Sequence, residues 1–228
     1  VKKGLFDTRL EEPDTLLSRI RMEKESLGFY LSAHPFDYYK LDFGENLSAL
    51  SELNNSKGPV KSLVILQNIK FKSTRRGERY ATFFVEDKTR ILEAVCWPSV
   101  LQKIEDNLTD GECGLLLGNY DKIEEKIVIN VKDFIPVTKL IESYAKLVVL
   151  DLPEEVTQEE IVTKMLELLK QHKGDTLLRV EFLSNGSRKE FSHPNFRVRP
   201  SEALCMTVEK SFKSPALRFH ISFPNQTA

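Results

Sequence analysis

Between Val60 and Val137 the sequence holds three strand-like runs, one helix-like run and two more strand-like runs, an order that few folds share. VKSLVILQNIKFKST is rich in β-branched residues, and TRRGER follows as a polar turn with Gly77 at its centre. RYATFFVED and RILEAVCW supply a second and a third strand around the tight Asp87-Lys88-Thr89-Arg90 turn. Ser99 to Leu108 has helical spacing and a serine placed to cap it. ECGLLLGNYDKI and KIVINVKDFIPV then form two strands around Glu124-Glu125. Three strands, a helix and two strands is the order of an OB-fold, a small five-stranded barrel whose second and third strands face oligonucleotides. A generic barrel or sandwich leaves the helix between the third and fourth strands unexplained.

The flanks have other rhythms. Residues 12 to 33 read as a helix, since Pro13 is acceptable in a first turn and Leu17, Ile20, Leu27 and Leu31 recur on one face. Pro35 ends it. Residues 36 to 58 read as a connector with one short helix near Leu47 to Leu53, closed by the break Asn54-Asn55-Ser56-Lys57-Gly58-Pro59. After Val137, TKLIESYA reads as a bridging helix and LVVLDLP as a strand. Glu154 to His172 reads as an amphipathic helix with Ile161, Met165, Leu168 and Leu169 inward. TLLRVEFLS and RKEFS form a hairpin, FRVRP leads through a short strand to a helix from Pro200, and ALRFHISF is a last strand. That order predicts a small α/β domain with helices on one face of a sheet. The whole chain is therefore expected to be α+β and multidomain: an N-terminal helical segment over 1–58, a five-stranded OB-fold β-barrel over 59–138 and a C-terminal small α/β domain over 139–228.

No apolar run approaches the roughly 20 residues of a membrane span, and VKKGLFDTRLEE lacks the apolar core of a secretion signal. A cytoplasmic location without a membrane partner is the expectation. The first residue is Val, which points to a piece of a longer polypeptide. Cys96, Cys113 and Cys205 lack a Cys-x-x-Cys spacing or a nearby His and predict buried thiols, not a disulfide framework or a zinc site. No phosphate-binding Gly-rich loop, Ser-His-Asp set or convergent carboxylate cluster is present, so no catalytic residue, metal or cofactor is expected in this chain.

The formal charge of −1 excludes coating of nucleic acid by bulk positive charge, so any such contact must be local. Lys70, Lys72, Arg75, Arg76 and Arg79 fall within ten residues that contain only Glu78 against them. On an OB-fold this turn borders the binding face, where cations pair with phosphates and aromatics stack under bases. At period two, Ala81, Phe83 and Val85 suit the barrel interior, which leaves Tyr80 and Phe84 outside as base-stacking candidates. The competing readings are a merely solvated turn and an aromatic packed under a loop. Trp97-Pro98 reads as a core or inter-domain anchor, Asp87 as an acid that shapes its turn, and His34 as a cap or tight-turn residue.

Two segments carry a resemblance. EKESLGFYLSAHPFDYY, Glu23 to Tyr39, resembles the E-x-x-x-LG(F/L)YL-(S/T)-(G/A)-HP segment of the alpha subunit of bacterial DNA polymerase III. TRRGERYATFFVED followed by RILEAVCWP is similar to that family's T-(K/R)-(K/R)-G-x-x-(M)-A-x-x-x-(L/V)-E-D turn and strand and its following (I/L)-E-x-x-x-(F)-P. The resemblance covers nearly the whole chain and implies that LGFYL packs between a polymerase region and the barrel, with His34-Pro35 as a turn. Gly4-Leu5-Phe6-Asp7 resembles the end of the Q-x-x-(L/M)-F motif by which these subunits hold the sliding clamp, beta, with Lys2 where the family usually has Gln. Leu5 and Phe6 are thus the implied clamp-binding residues. From about Lys146 the chain resembles the family's C-terminal domain, which contacts the tau subunit of the clamp loader; of Phe212, Phe219 and Phe223, at least two are expected in its core.

The family's catalytic aspartates and metal-binding polymerase site match nothing here. The resemblance therefore implies a noncatalytic part of a DNA-directed DNA polymerase, a nucleotidyltransferase whose complete polypeptide uses Mg2+. Its expected partners in DNA replication are single-stranded DNA, the sliding clamp and tau. Two rivals stand beside it: a barrel that is only a protein-interaction module, and an RNA-binding barrel like those of aminoacyl-tRNA synthetases.

Overall fold

The computed structural model describes residues 15–28, 30–45, 47–152, 158–184, 187–212 and 216–223, so Leu5 and Phe6 lie outside the described residues. The elements run α1 (Leu16–Leu27), α2 (Pro35–Tyr38), β1 (Lys40–Asp42), β2 (Lys57–Ser73), β3 (Arg79–Glu86), β4 (Ile91–Cys96), α3 (Pro98–Ile104), β5 (Cys113–Ile123), β6 (Lys126–Pro136), α4 (Val137–Tyr144), β7 (Ala145–Leu152), α5 (Gln158–Gln171), β8 (Lys173–Ser184), β9 (Ser187–Val198), α6 (Glu202–Ser211) and β10 (Ala216–Ile221). The molecule is a mixed α/β fold with two sets of five strands.

β2-β3-β4-β6-β5 close into a barrel, antiparallel throughout except for the parallel β4–β6 pair. α3 lies in the chain between β4 and β5, the order from which the sequence predicts an OB-type barrel. Its interior follows strict alternation, with Ala81, Phe83 and Val85 of β3 and Leu92, Ala94 and Cys96 of β4 all buried. Ser99 does not cap α3. The helix starts at Pro98, Trp97 stands at the cap position, and its carbonyl accepts from the amides of Val100 (3.0 Å) and Leu101 (2.8 Å).

The other strands form the sheet β1-β10-β7-β8-β9. α4, α5 and α6 cover one face, where Leu140, Leu168, Leu204 and Val208 join Val148, Val180 and Phe219 in one core. Phe212 and Phe219 are buried in that core, as expected, while Phe223 packs at its margin beside Phe43 and Tyr144. The opposite face is charged: Arg218 makes two bonds to Asp151 (2.8 and 2.9 Å) and one to Glu181 (2.8 Å), and Arg188 reaches the same two acids. Val149, cross-strand from both Arg218 and Arg179, is fully buried on this polar face, where long arginine stems can shield it.

Three further expectations change. The first helix ends at Leu27, well before residue 33, because Gly28 adopts φ +81° and returns its amide to the Lys24 carbonyl (3.0 Å). Leu31 therefore lies beyond the helix, and Leu27 (51%) and Leu31 (71%) are exposed, so they are not packing residues among these described elements. The connector contributes β1, which pairs in parallel with β10 as an edge of the C-terminal sheet. Finally, β9 runs unbroken from Ser187 to Val198, uniting the segments predicted as two strands.

Both α1 and the start of the connector are bolted to α6. Glu209 accepts from the Leu16 amide and from the Tyr38 hydroxyl (3.3 Å), and Glu202 accepts from Arg21 and the Tyr39 hydroxyl (2.8 Å). The barrel meets this body through Leu63 of β2, Leu115 and Leu117 of β5 and Ile135 of β6. On the outer surfaces of β3, β4 and the second half of β2, Lys70, Lys72, Phe84 and Glu93 are exposed.

Candidate nucleic-acid interface

A β-bulge sets which side chains that surface presents. The β2–β3 register passes from Gln67↔Phe84 to Lys70↔Thr82, one extra residue on β2, with Asn68 at φ +54° and the Ile69 amide donating to Asp110 (2.8 Å). Before the bulge, Val60, Ser62, Val64 and Leu66 are the buried alternate set, with Ile65 of the other face buried as well; unbroken alternation would turn Lys70 and Lys72 inward with the even-numbered residues. The extra residue reverses the phase. Lys70 then stands opposite Thr82 and Lys72 opposite Tyr80, so the lysines share the outer face with Tyr80, Thr82 and Phe84.

The turn after β2 is tight: the Gly77 amide donates to the Thr74 carbonyl (3.0 Å), Gly77 has φ +81°, and the Thr74 hydroxyl accepts from the amides of Arg76 (3.3 Å) and Glu78 (3.2 Å). Arg75 and Arg76 are exposed at its tip. Arg79 is placed differently. It precedes Tyr80 and so projects to the other side of β3, where it pairs with Glu105 (2.8 Å) and lies over the ring of Phe71 at 4.9 Å. Its charge is already answered there.

The two stacking candidates have unlike surroundings. Phe84 is 37% exposed, but Glu93 stands directly across β4 from it, and Gln67 across β2 binds Glu86. Tyr80 is half-buried and stacks on Trp97, with ring centroids 5.5 Å apart and planes 23° from parallel. Trp97 is 46% exposed, which corrects the reading of this residue as a core or inter-domain anchor. It follows β4 directly and continues that strand's outward set Glu93, Val95; the alternation that placed Tyr80 outside would have placed Trp97 there too. Its indole N–H donates to Asn130 Oδ1 (3.1 Å), and Asn130 Nδ2 donates to Asp121 Oδ2 (3.0 Å), a chain running from β4 across β6 to β5.

Other singled-out residues are structural. Asp87 Oδ1 accepts from the Thr89 amide (2.7 Å), the Thr89 hydroxyl (2.7 Å) and the Arg90 amide (2.8 Å), and Oδ2 accepts from the Leu50 amide (2.7 Å). His34 caps α2, its Nδ1 accepting from the Phe36 amide (3.3 Å), and burial holds its pKa below the ordinary histidine value. Burial pushes the thiols of Cys96, Cys113 and Cys205 up to about 12, which leaves them protonated and unreactive near neutral pH. Among the described residues no group of His, Cys, Asp and Glu could hold a metal ion, and no helix is long and apolar enough to cross a membrane.

Fold and surface together define a barrel-plus-α/β protein with a basic, aromatic outer face on the barrel. Its sequence relatives are DNA polymerase III alpha subunits. The DNA polymerase III subunit alpha of Halalkalibacterium halodurans is 29% identical over 186 residues, covering 76% of this chain, and that of Staphylococcus aureus is 25% identical over 179 residues, covering 77%. The resemblance read from the motifs is thereby borne out. The chain spans 16% of the length of these relatives. No protein-family model matches. Solved structures with partial likeness include a Replication Protein A heterotrimer bound to ssDNA (18% identity, 35% of this chain and 57% of that one, TM-score 0.28) and the second single-stranded DNA binding protein of Mycobacterium smegmatis (15%, 35% and 88%, TM-score 0.31).

Proposed function

We propose that this chain is a noncatalytic, DNA-handling part of a replicative polymerase alpha subunit, and that its OB-type barrel binds single-stranded DNA during replication. The observation that carries the reading is the shared outer face of β2 and β3, where Lys70 and Lys72 stand directly across from Thr82 and Tyr80. Cations beside a half-buried aromatic on an outer face suit a strand whose phosphates and bases both need partners, and neither group selects a base sequence. Arg75 and Arg76 extend the cationic surface at the turn tip.

The flanking elements serve as tethers in the same proposal: Leu5 and Phe6 to the sliding clamp, and the C-terminal α/β domain to the tau subunit. The complete polypeptide would supply nucleotidyl transfer with Mg2+, and this chain would organise the template and the partners around it. The proposed barrel is 59–138, with the segments 1–58 and 139–228 joined beside it through the β1–β10 pair, and the proposed location is cytoplasmic.

Fluorescence anisotropy of a labelled oligonucleotide of about 20 nucleotides, single-stranded or duplex, tests the reading at roughly 50 and 200 mM salt. Single strands are expected to bind better than duplex and more weakly as salt rises. A Lys70→Ala/Lys72→Ala/Arg75→Ala/Arg76→Ala variant is expected to lower the magnitude of the log–log salt slope by up to about 3, at about 0.7 per lost phosphate contact. Absence of binding at the lower salt sinks the DNA reading and leaves the barrel as a protein-interaction module.

A further inference from the structure

We infer that the Tyr80–Trp97 stack is the principal base-binding platform of the barrel and that Asn130, braced by Asp121, is the positioning residue that holds its indole in place. The inference rests on the single-stranded DNA reading and assigns base stacking to the Tyr80–Trp97 end of the face, not to Phe84. Phe84 sits across from Glu93 and beside Glu86, so a phosphate brought to that end meets carboxylates. Tyr80 sits across from Lys72, and Lys132, two residues beyond Asn130 on β6, is also exposed. The cations therefore flank the Tyr80–Trp97 end.

Pre-organisation points the same way. Trp97 is held through its backbone, whose carbonyl accepts two amides of the first turn of α3, and through its side chain, which is stacked on Tyr80 and hydrogen-bonded to Asn130. Asn130 cannot rotate its amide without losing both of its bonds, because its oxygen takes the indole proton while its nitrogen serves Asp121. Gly118 lets β5 lie close to β6 here, since a Cβ at that position would come within 2.5 Å of the Asn130 carbonyl oxygen. An aromatic plate fixed on three sides and 46% exposed loses little freedom when a base stacks on it. A ring needed only for packing would have no use for an open face.

Trp97 is the one tryptophan of the chain, so its emission reports on the platform directly. The experiment titrates the whole chain with oligothymidylate and follows anisotropy of a labelled strand in parallel with Trp97 fluorescence of an unlabelled one. Quenching is expected to saturate with the anisotropy curve. Trp97→Ala is expected to weaken binding roughly 5- to 150-fold, Trp97→Phe by less, and Phe84→Ala by under about 3-fold. Asn130→Ala is expected to loosen the indole, seen as lower Trp97 fluorescence anisotropy, with weaker binding; the exchange Asn130→Asp with Asp121→Asn restores both bonds and both signals.

Strand binding with unchanged Trp97 emission and full affinity in Trp97→Phe would overturn the platform while leaving the DNA reading intact. No strand binding at low salt would instead remove the reading on which the inference rests. Weakened binding in Asn130→Ala with an unaltered indole signal would overturn the positioning role alone. Should Trp97→Ala fail to fold, the wild-type emission and Trp97→Phe still decide the matter.

Discussion

At the scale of single residues, acids at turns and strand ends carry stability that depends on their charge. Burial acts to raise the Asp87 carboxyl, but hydrogen bonds from Leu50, Thr89 and Arg90 outweigh it and hold the group below the usual carboxylate range. Asp151 behaves alike, with burial opposed first by Arg218 and then by Arg188. A carboxyl whose folded pKa is depressed stabilises fully above its unfolded value of about 4 and loses that contribution as pH falls through the folded value. The thermal midpoint is accordingly expected to drop as pH is lowered from about 5 towards 3, and the drop to be shallower in Asp87→Asn/Asp151→Asn; an equally steep fall in that variant would show that other groups govern acid sensitivity. At neutral pH, Asp87→Ala is expected to cost about 1–3 kcal/mol in urea unfolding, because the Leu50 amide and the turn lose a charged acceptor.

At the scale of elements, one inserted residue decides the chemistry of a surface. Counting in twos from Val60 along β2 puts Lys70 and Lys72 inside the barrel, and only the bulge at Asn68 brings them out beside Tyr80. Asn tolerates the left-handed conformation that the bulge needs, and a β-branched side chain does not. Asn68→Gly is therefore expected to change stability by under about 0.5 kcal/mol and Asn68→Val to cost about 1–2 kcal/mol. If Val were as stable as Gly by thermal unfolding, the bulge would not depend on that residue. On β3 and β4 no insertion intervenes, so Tyr80, Phe84 and Trp97 were legible as outward residues from alternation alone. Asn130 was legible as outward on β6 for the same reason, but nothing in the sequence announces that it faces Trp97, since β4 and β6 meet in parallel with α3 and β5 between them in the chain. Arg79 was grouped with its basic neighbours in sequence, yet the same alternation sends it to Glu105.

At the scale of the whole molecule, the chain before the barrel is part of the body that follows it. β1 pairs with β10, Leu17 and Tyr39 sit in the α/β core, and Glu202 and Glu209 of α6 accept from α1 and α2. A chain that starts at Lys57 is expected to lose cooperative unfolding of the α/β part in circular dichroism, with β10 left as an open edge and buried side chains exposed. An unchanged thermal midpoint would show that the early segment is only a peripheral strap. The amino-acid sequence alone carried the barrel order, the interior of β3 and β4, the α/β alternation of the second half and the polymerase-subunit resemblance, because period, turn residues and motif spacing act over short distances along the chain. The edge pairing of β1, the phase reversal at Asn68, the opposing carboxylates at Phe84 and the Trp97–Asn130–Asp121 chain emerged only in three dimensions. The β1 edge and the Trp97–Asn130–Asp121 chain depend on which distant strand lies alongside which, set by the joint burial of surfaces far apart in sequence, whereas the bulge and the Phe84–Glu93 pair depend on the register of neighbouring strands.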